Sequence, residues 1–128
     1  MASLIYLDTH VAVWLYALGR ESLSSTAAEM IEEADDLRIS PMARLELHYL
    51  YEIGRVTEPA AVVFDALHAA LGLELCGASF GAVIREAERH SWTRDPFDRL
   101  IVAQASLHDA ALVTKDDALR AKYGLAVW

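Results

Sequence analysis

Four acidic residues of this 128-residue chain have types and positions that could do chemistry together: Asp8, Glu46, Asp98 and Asp116. Each falls at, or within a turn or two of, the point where an apolar strand-like run gives way to a helix. Carboxylates gathered at one edge of a sheet repel one another, and the cheapest relief is a hard divalent cation held by oxygen ligands.

Each acid also has an ordinary structural explanation. Asp8 could cap the helix that follows it, a role Thr9 could share. Glu46 lies among Leu45, Leu47, Tyr49, Leu50 and Tyr51, where a carboxylate needs a partner. Arg44 is adjacent but not at facing spacing, so a structural ion pair and a metal stand level there. Asp95 precedes Pro96 and reads as a cap, leaving Asp98 at the third helical position, where it would complement the helix dipole. One of Asp116 and Asp117 should cap the next helix. Four such residues at one edge are harder to explain this way than any one of them.

The elements that must position them alternate along the whole chain. Leu4 to Leu7 reads as a strand, and Val11 to Leu18 as an apolar helix stopped by Gly19. Ser24-Ser25 opens a helix with Ala27, Ala28, Met30, Ile31 and Ala34 on one side. Leu37 to Ser40 is a brief strand, and Pro41 begins a helix ending at Gly54. Pro59 opens a helix to about Leu71, Leu73 to Cys76 is a third strand, and Ser79 caps a helix through His90. Asp95-Pro96 starts a helix reaching His108, and Ala111 to Thr114 is a strand. A short helix then ends at Gly124, and Leu125 to Trp128 closes as a strand. This alternation predicts an α/β fold, one domain over residues 1–128, with a central parallel sheet flanked by helices on both faces. In such sheets, sites form beyond the carboxyl ends of the strands, where the four acids map.

Composition narrows the function. The chain is 55% hydrophobic, too apolar for disorder and apolar enough to bury surface against a partner. No window approaches a spanning helix, and Asp8 and His10 interrupt the apolar start where a signal segment would be unbroken. The expectation is a cytoplasmic protein without membrane association. The single Cys76, in an apolar run, reads as an inert core thiol. A net charge of −8 disfavours non-specific grip on a polyanion, although two bound divalent cations would halve it. Arg94, Arg99, Lys115, Arg120 and Lys122 lie near the acids in sequence. His10, His48, His68, His90 and His108 have no paired metal-binding spacing, and no glycine-rich phosphate loop or G-x-S-x-G nucleophile setting is present. Trp14, Trp92 and Trp128 read as core or interface anchors.

LDTH at 7–10, a Glu within ARLELHYL, DPFDRLIVAQA at 95–105 and LVTKD at 112–116 together resemble the PIN-domain ribonucleases, and within them a VapC-type toxin of a bacterial toxin–antitoxin pair. The resemblance spans essentially the whole chain, in order. It implies Asp8, Glu46, Asp98 and Asp116 as catalytic and metal-holding residues, with Thr9, Asp95 and Thr114 in support. It further implies Mg²⁺ or Mn²⁺, an RNA substrate cleaved by metal-activated water, a homodimer, and a VapB-type antitoxin covering the site. Two alternatives belong to other classes. A Mg²⁺-dependent phosphotransfer domain would want a second Asp where His10 stands, or a separate phosphoacceptor on the third strand. A non-catalytic scaffold keeping the fold would be favoured by loss of an acid, and all four are present.

Overall fold

The computed structural model describes residues 3–128. Five strands, β1 (Leu4–Leu7), β2 (Asp36–Ile39), β3 (Glu74–Leu75), β4 (Ala111–Val113) and β5 (Ala126–Val127), form one parallel sheet in the order β3-β2-β1-β4-β5. Seven helices connect them among the described residues: α1 (Thr9–Leu18), α2 (Ser25–Glu33), α3 (Pro41–Glu52), α4 (Ala60–Leu71), α5 (Phe80–Ala87), α6 (Pro96–Leu107) and α7 (Asp117–Lys122). The expected α/β architecture is therefore the observed one.

The central strands read as continuous apolar runs because both of their faces are covered. Ile5, Tyr6 and Leu7 of β1 and Leu112 and Val113 of β4 are all buried. Each fully buried leucine in this layer stabilises the fold by about 1.5–3 kcal/mol. On the helical side, α1, α3 and α4 pack on one another, and α5 packs along α6. α3 also meets α6, where Tyr49 stacks on Phe97 at 6.1 Å and the Ser40 hydroxyl bonds Gln104.

Several boundaries are shorter than the sequence predicts. β3 keeps only Glu74–Leu75 of the expected 73–76, and β5 only Ala126–Val127 of 125–128. Both are edge strands, paired on one side alone. α5 stops at Ala87 rather than His90. Its freed carbonyls are taken by Arg99 of α6, whose guanidinium donates to Ala87 O at 2.8 Å and Glu88 O at 3.5 Å. A 3₁₀ turn at Arg20–Ser22, not legible in the sequence, follows Gly19, whose φ of 81° an L side chain rarely adopts.

The strand order reverses at β1: the chain steps outward through β2 to β3, then returns to lay β4 on β1's other side. Beyond the carboxyl ends of β1 and β4, connections diverge and leave a crevice. The chain reaches that crevice directly after Leu7 and again after Val113, two residues paired across the sheet.

Cys76 is buried and accepts a hydrogen bond from the Tyr6 hydroxyl at 3.0 Å, as a core thiol should. Among the described residues no helix is long and apolar enough to cross a membrane.

Candidate active site

Asp8, Glu46, Asp95, Asp98 and Asp116 line one cavity of about 460 Å³ in that crevice, together with His10, Val11, Trp14 and Lys115. The structure thus gathers all four predicted acids and adds Asp95 to their wall. Of the five basic residues near the acids in sequence, only Lys115 reaches the cavity. Arg99 is spent on the end of α5 and Arg120 pairs with Asp117.

Asp8 is placed by β1, whose hydrogen-bonding continues one residue further as Asp8 N–H donates to Val113 O at 3.0 Å. It is the N-cap of α1, but an unusual one. A cap side chain ordinarily accepts from the second or third helical N–H. Here Oδ1 accepts from the first, Thr9 N, at 2.8 Å, while Oδ2 accepts from the Thr114 hydroxyl at 2.7 Å. Capping alone does not explain a carboxylate only 7% exposed and turned toward the neighbouring strand's end. Burial raises its pKa, against the lowering effect of these two hydrogen bonds.

Asp116 and Asp95 are ordinary caps that also face the cavity. Asp116 Oδ1 accepts from Leu119 N at 3.0 Å, which makes Asp116 rather than Asp117 the cap of α7. Asp95 Oδ1 accepts from Phe97 N at 2.8 Å and Asp98 N at 3.3 Å. Asp98 follows in the first turn of α6, and its carboxyl is pushed up to about 7 by burial, then by the charges of Asp95, Asp8, Asp116 and Glu46. Glu46 is raised as well, first by burial. It has no ion-pair partner among the described residues, and Arg44 instead lies over the Phe64 ring at 4.9 Å. The ion-pair explanation for Glu46 therefore falls away.

Two hydroxyls frame the acids. Thr114 Oγ1 donates to Asp8 and accepts from Asp116 N–H at 3.1 Å, so one side chain ties both loops together. Thr9 Oγ1 is buried with no formed hydrogen bond, yet it faces Glu46 closely enough to lower that carboxyl's pKa. A buried hydroxyl left without a partner costs about 1–3 kcal/mol.

Among the described residues no three His, Cys, Asp or Glu side chains come close enough to enclose a metal ion. Apart from His10 and Lys115, the polar side chains that line the cavity are nevertheless all carboxylates, mutually repelling, with the Thr114 hydroxyl bonded to one of them and the Thr9 hydroxyl facing another. That set suits an ion that keeps much of its water and takes only a few carboxylates, as Mg²⁺ and Mn²⁺ do, rather than a closed cage.

A second polar cluster, invisible in the sequence because its members lie on different elements, joins Glu86, His90, Trp92 and Ser106. Ser106 Oγ donates to Glu86 Oε2 at 2.7 Å and lies 2.9 Å from His90 Nε2. Trp92 Nε1–H donates to His90 Nδ1 at 3.3 Å, which leaves the ring proton on Nε2. His90 is then a donor to the serine and not its base. The cluster pins α5 to α6 and is no hydrolase triad.

The roles of the two acids that open α6 separate by substitution. Asp95→Ser keeps a cap and is expected to retain activity within about tenfold, whereas Asp98→Asn is expected to lose about 10²-fold or more along with Mg²⁺ binding. Calorimetric Mg²⁺ titration beside nuclease assays checks this. Equal, large losses in both would place Asp95 among the direct ligands.

A parallel sheet with acids at its switch point defines a class, and comparison with known proteins gives its name. The PIN domain family model matches residues 5–125, and the chain belongs to the PIN-domain family. It is 35% identical over 117 residues to ribonuclease VapC22 of Mycobacterium tuberculosis (strain ATCC 25618 / H37Rv), covering 91% of this chain and 89% of that protein. The fold is similar to that in a crystal structure of VapBC2 from Rickettsia felis bound to a promoter DNA fragment, with a TM-score of 0.66, 19% identity, and 98% and 97% of the two chains covered. It is also similar to that in a structure of FitAB bound to an IR36 DNA fragment, with a TM-score of 0.59, 19% identity, and 97% and 93% covered.

Proposed function

We propose that this chain is a Mg²⁺- or Mn²⁺-dependent endoribonuclease, the VapC-type toxin of a toxin–antitoxin pair. The observation that carries this is the convergence of Asp8, Glu46, Asp98 and Asp116, from four separate segments, on one cavity at the sheet's switch point. The kinship to ribonuclease VapC22 supports the substrate class.

Asp8, Asp98 and Asp116 would hold the ion, with Glu46 contributing directly or through water. When bound, the ion supplies positive charge that acidifies a water and stabilises the leaving 3′ oxygen. The protein fixes the geometry beforehand. Thr9 N–H and the Thr114 hydroxyl lock both oxygens of Asp8, so its remaining lone pairs point one way. The Thr9 hydroxyl, facing Glu46, has a proton that can go to that carboxylate or to an ordered water beside it. Lys115 supplies the one fixed cation among the cavity-lining residues, beside the place where a phosphate must enter past five carboxylates. Water as nucleophile leaves the RNA 2′-OH unused, so the products carry a 5′-phosphate and a 3′-OH.

RNA ends sequenced after brief expression should show those termini, and cleavage in vitro should stop in EDTA and return with Mg²⁺. Ends bearing 2′,3′-cyclic phosphate, or cutting undiminished by EDTA, would overturn the mechanism.

The partner follows from α3. Its Ala43 and Leu47 are buried, while Leu45 and Tyr49, one turn apart on the opposite side, are exposed. That apolar outer face fits a VapB-type antitoxin segment or the second protomer of a homodimer. A basic antitoxin side chain entering the cavity would replace both metal and RNA.

A further inference from the structure

The acidic cavity has one wall that is not acidic. Trp14 lies one turn beyond His10 on α1, their ring centroids 6.0 Å apart, and both line the cavity. Behind Trp14 stands Trp128, packed edge-on at 5.9 Å. Trp128 packs against the main core, as a structural anchor should, but Trp14 is not part of that core. It is half-buried, with the cavity on one side.

Lys115 completes the wall. Its ammonium makes no ion pair with any of the five carboxylates lining the cavity. Instead it lies over both indoles, 5.9 Å from the Trp14 centroid and 5.8 Å from that of Trp128. A cation over an exposed aromatic face gains about 0.5–1 kcal/mol, enough to hold the amine at the rim without committing it.

Electrostatics make this wall matter. The chain carries a net charge of −8, and the cavity pits five carboxylates against one lysine. Polyanion binding by counterion release, the usual source of nucleic-acid affinity, is therefore weak here. Stacking of a base on an aromatic face does not depend on net charge, and every unpaired base has such a face. A base inside a duplex is already stacked on both sides and cannot offer one.

We propose that Trp14, buttressed by Trp128 and flanked by Lys115, forms a stacking subsite for an unpaired base next to the scissile phosphate. This rests on the nuclease reading above and names the side chains that would hold the base. Trp14 binds the base, Trp128 positions Trp14, and Lys115 meets a flanking phosphate.

The test uses the RNA whose cut ends have been mapped, unpaired and annealed to its complement. Trp14→Ala should raise KM for the unpaired strand about tenfold while kcat falls less than about threefold, and Trp14→Phe should recover most of the loss. The duplex should be a poor substrate for the wild type. An unchanged KM in Trp14→Ala, equal losses in the Ala and Phe variants, or a duplex cut as fast as the single strand would each overturn the subsite. So would a Trp14→Ala variant that loses its co-expressed partner protein but keeps its KM, because the wall would then belong to that partner. A wild type that cuts no RNA defeats the nuclease reading, and indole fluorescence titrated with a random-sequence single-stranded pool then decides the subsite separately. Quenching that disappears in Trp14→Phe supports it, and its absence overturns it.

Discussion

Asp8→Asn is expected to lower ribonuclease activity by about 10²–10³-fold while leaving stability within about 1 kcal/mol of the wild type. The asymmetry comes from what each oxygen of Asp8 does. The Asn carbonyl can still accept from Thr9 N–H in place of Oδ1. The Asn amide replaces Oδ2 and would donate to Thr114 Oγ1, whose hydroxyl is free to turn around. Both contacts of residue 8 are therefore kept, with Thr114 Oγ1 accepting from it as well as from Asp116 N–H and losing only the bond it donated. What is lost is a buried carboxylate, 7% exposed, at the point where the proposed cation would sit. Removing a buried charge that has no cationic side-chain partner relieves desolvation, so any stability change in metal-free protein should be toward gain. Full activity in this variant would remove Asp8 from the mechanism. A large loss of melting temperature would show that its role is structural.

Metal-free protein is expected to melt higher at pH 5.5 than at pH 8, and Mg²⁺ is expected to reverse the order. Asp98 titrates near 7 in the folded chain but near 4 when unfolded. Between those values the folded state binds the extra proton, so stability falls as pH rises through the window and the full penalty is present above about 7. Asp8 and Glu46 are raised as well, first by burial, so each also favours the protonated folded state. Because Asp98 is only half-buried, solvent screening reduces its share to on the order of 1–2 kcal/mol, a shift of about 4–8 °C. Bound Mg²⁺ favours the ionised carboxylates and stabilises the fold most at pH 8. Asp98→Asn should flatten the metal-free slope. Melting curves in EDTA that do not move between the two pH values would contradict the crowding of charge on which the site rests.

The sequence made the acids legible because each stands at a punctuation mark. Asp8 and Asp116 follow apolar runs, and Asp98 follows a cap and a proline. Glu46 was visible only as a charge with no reason to sit on an apolar helix, and the structure supplies the reason by turning it into the cavity. What stayed hidden depends on contacts between distant segments. Nothing local to Trp14 distinguishes a cavity wall from a core anchor, since the difference lies in Trp128 and Lys115 more than a hundred residues away. The early end of α5 was equally hidden, because the group that satisfies its last carbonyls, Arg99, belongs to another helix. Strand lengths at the sheet edges were overestimated for a similar reason: apolar residues continue past the point where a pairing partner ends.

The Thr114–Asp8 hydrogen bond joins residues 106 positions apart, and β4 must dock on β1 before it can form. Pairings of such long sequence separation are slow to close, because loop entropy is spent before the contact rewards it. On a ribosome, β4 also emerges after the segments that carry Asp8, Glu46 and Asp98. The acids of the early segments are thus synthesised long before they have a geometry. A nascent or truncated chain ending short of Thr114 carries Asp8, Glu46 and Asp98 but lacks the clamp, Asp116 and the strand that sets their spacing. The register of one parallel strand pair thereby sets the order of assembly: the acids acquire their spacing only when β4 has docked on β1.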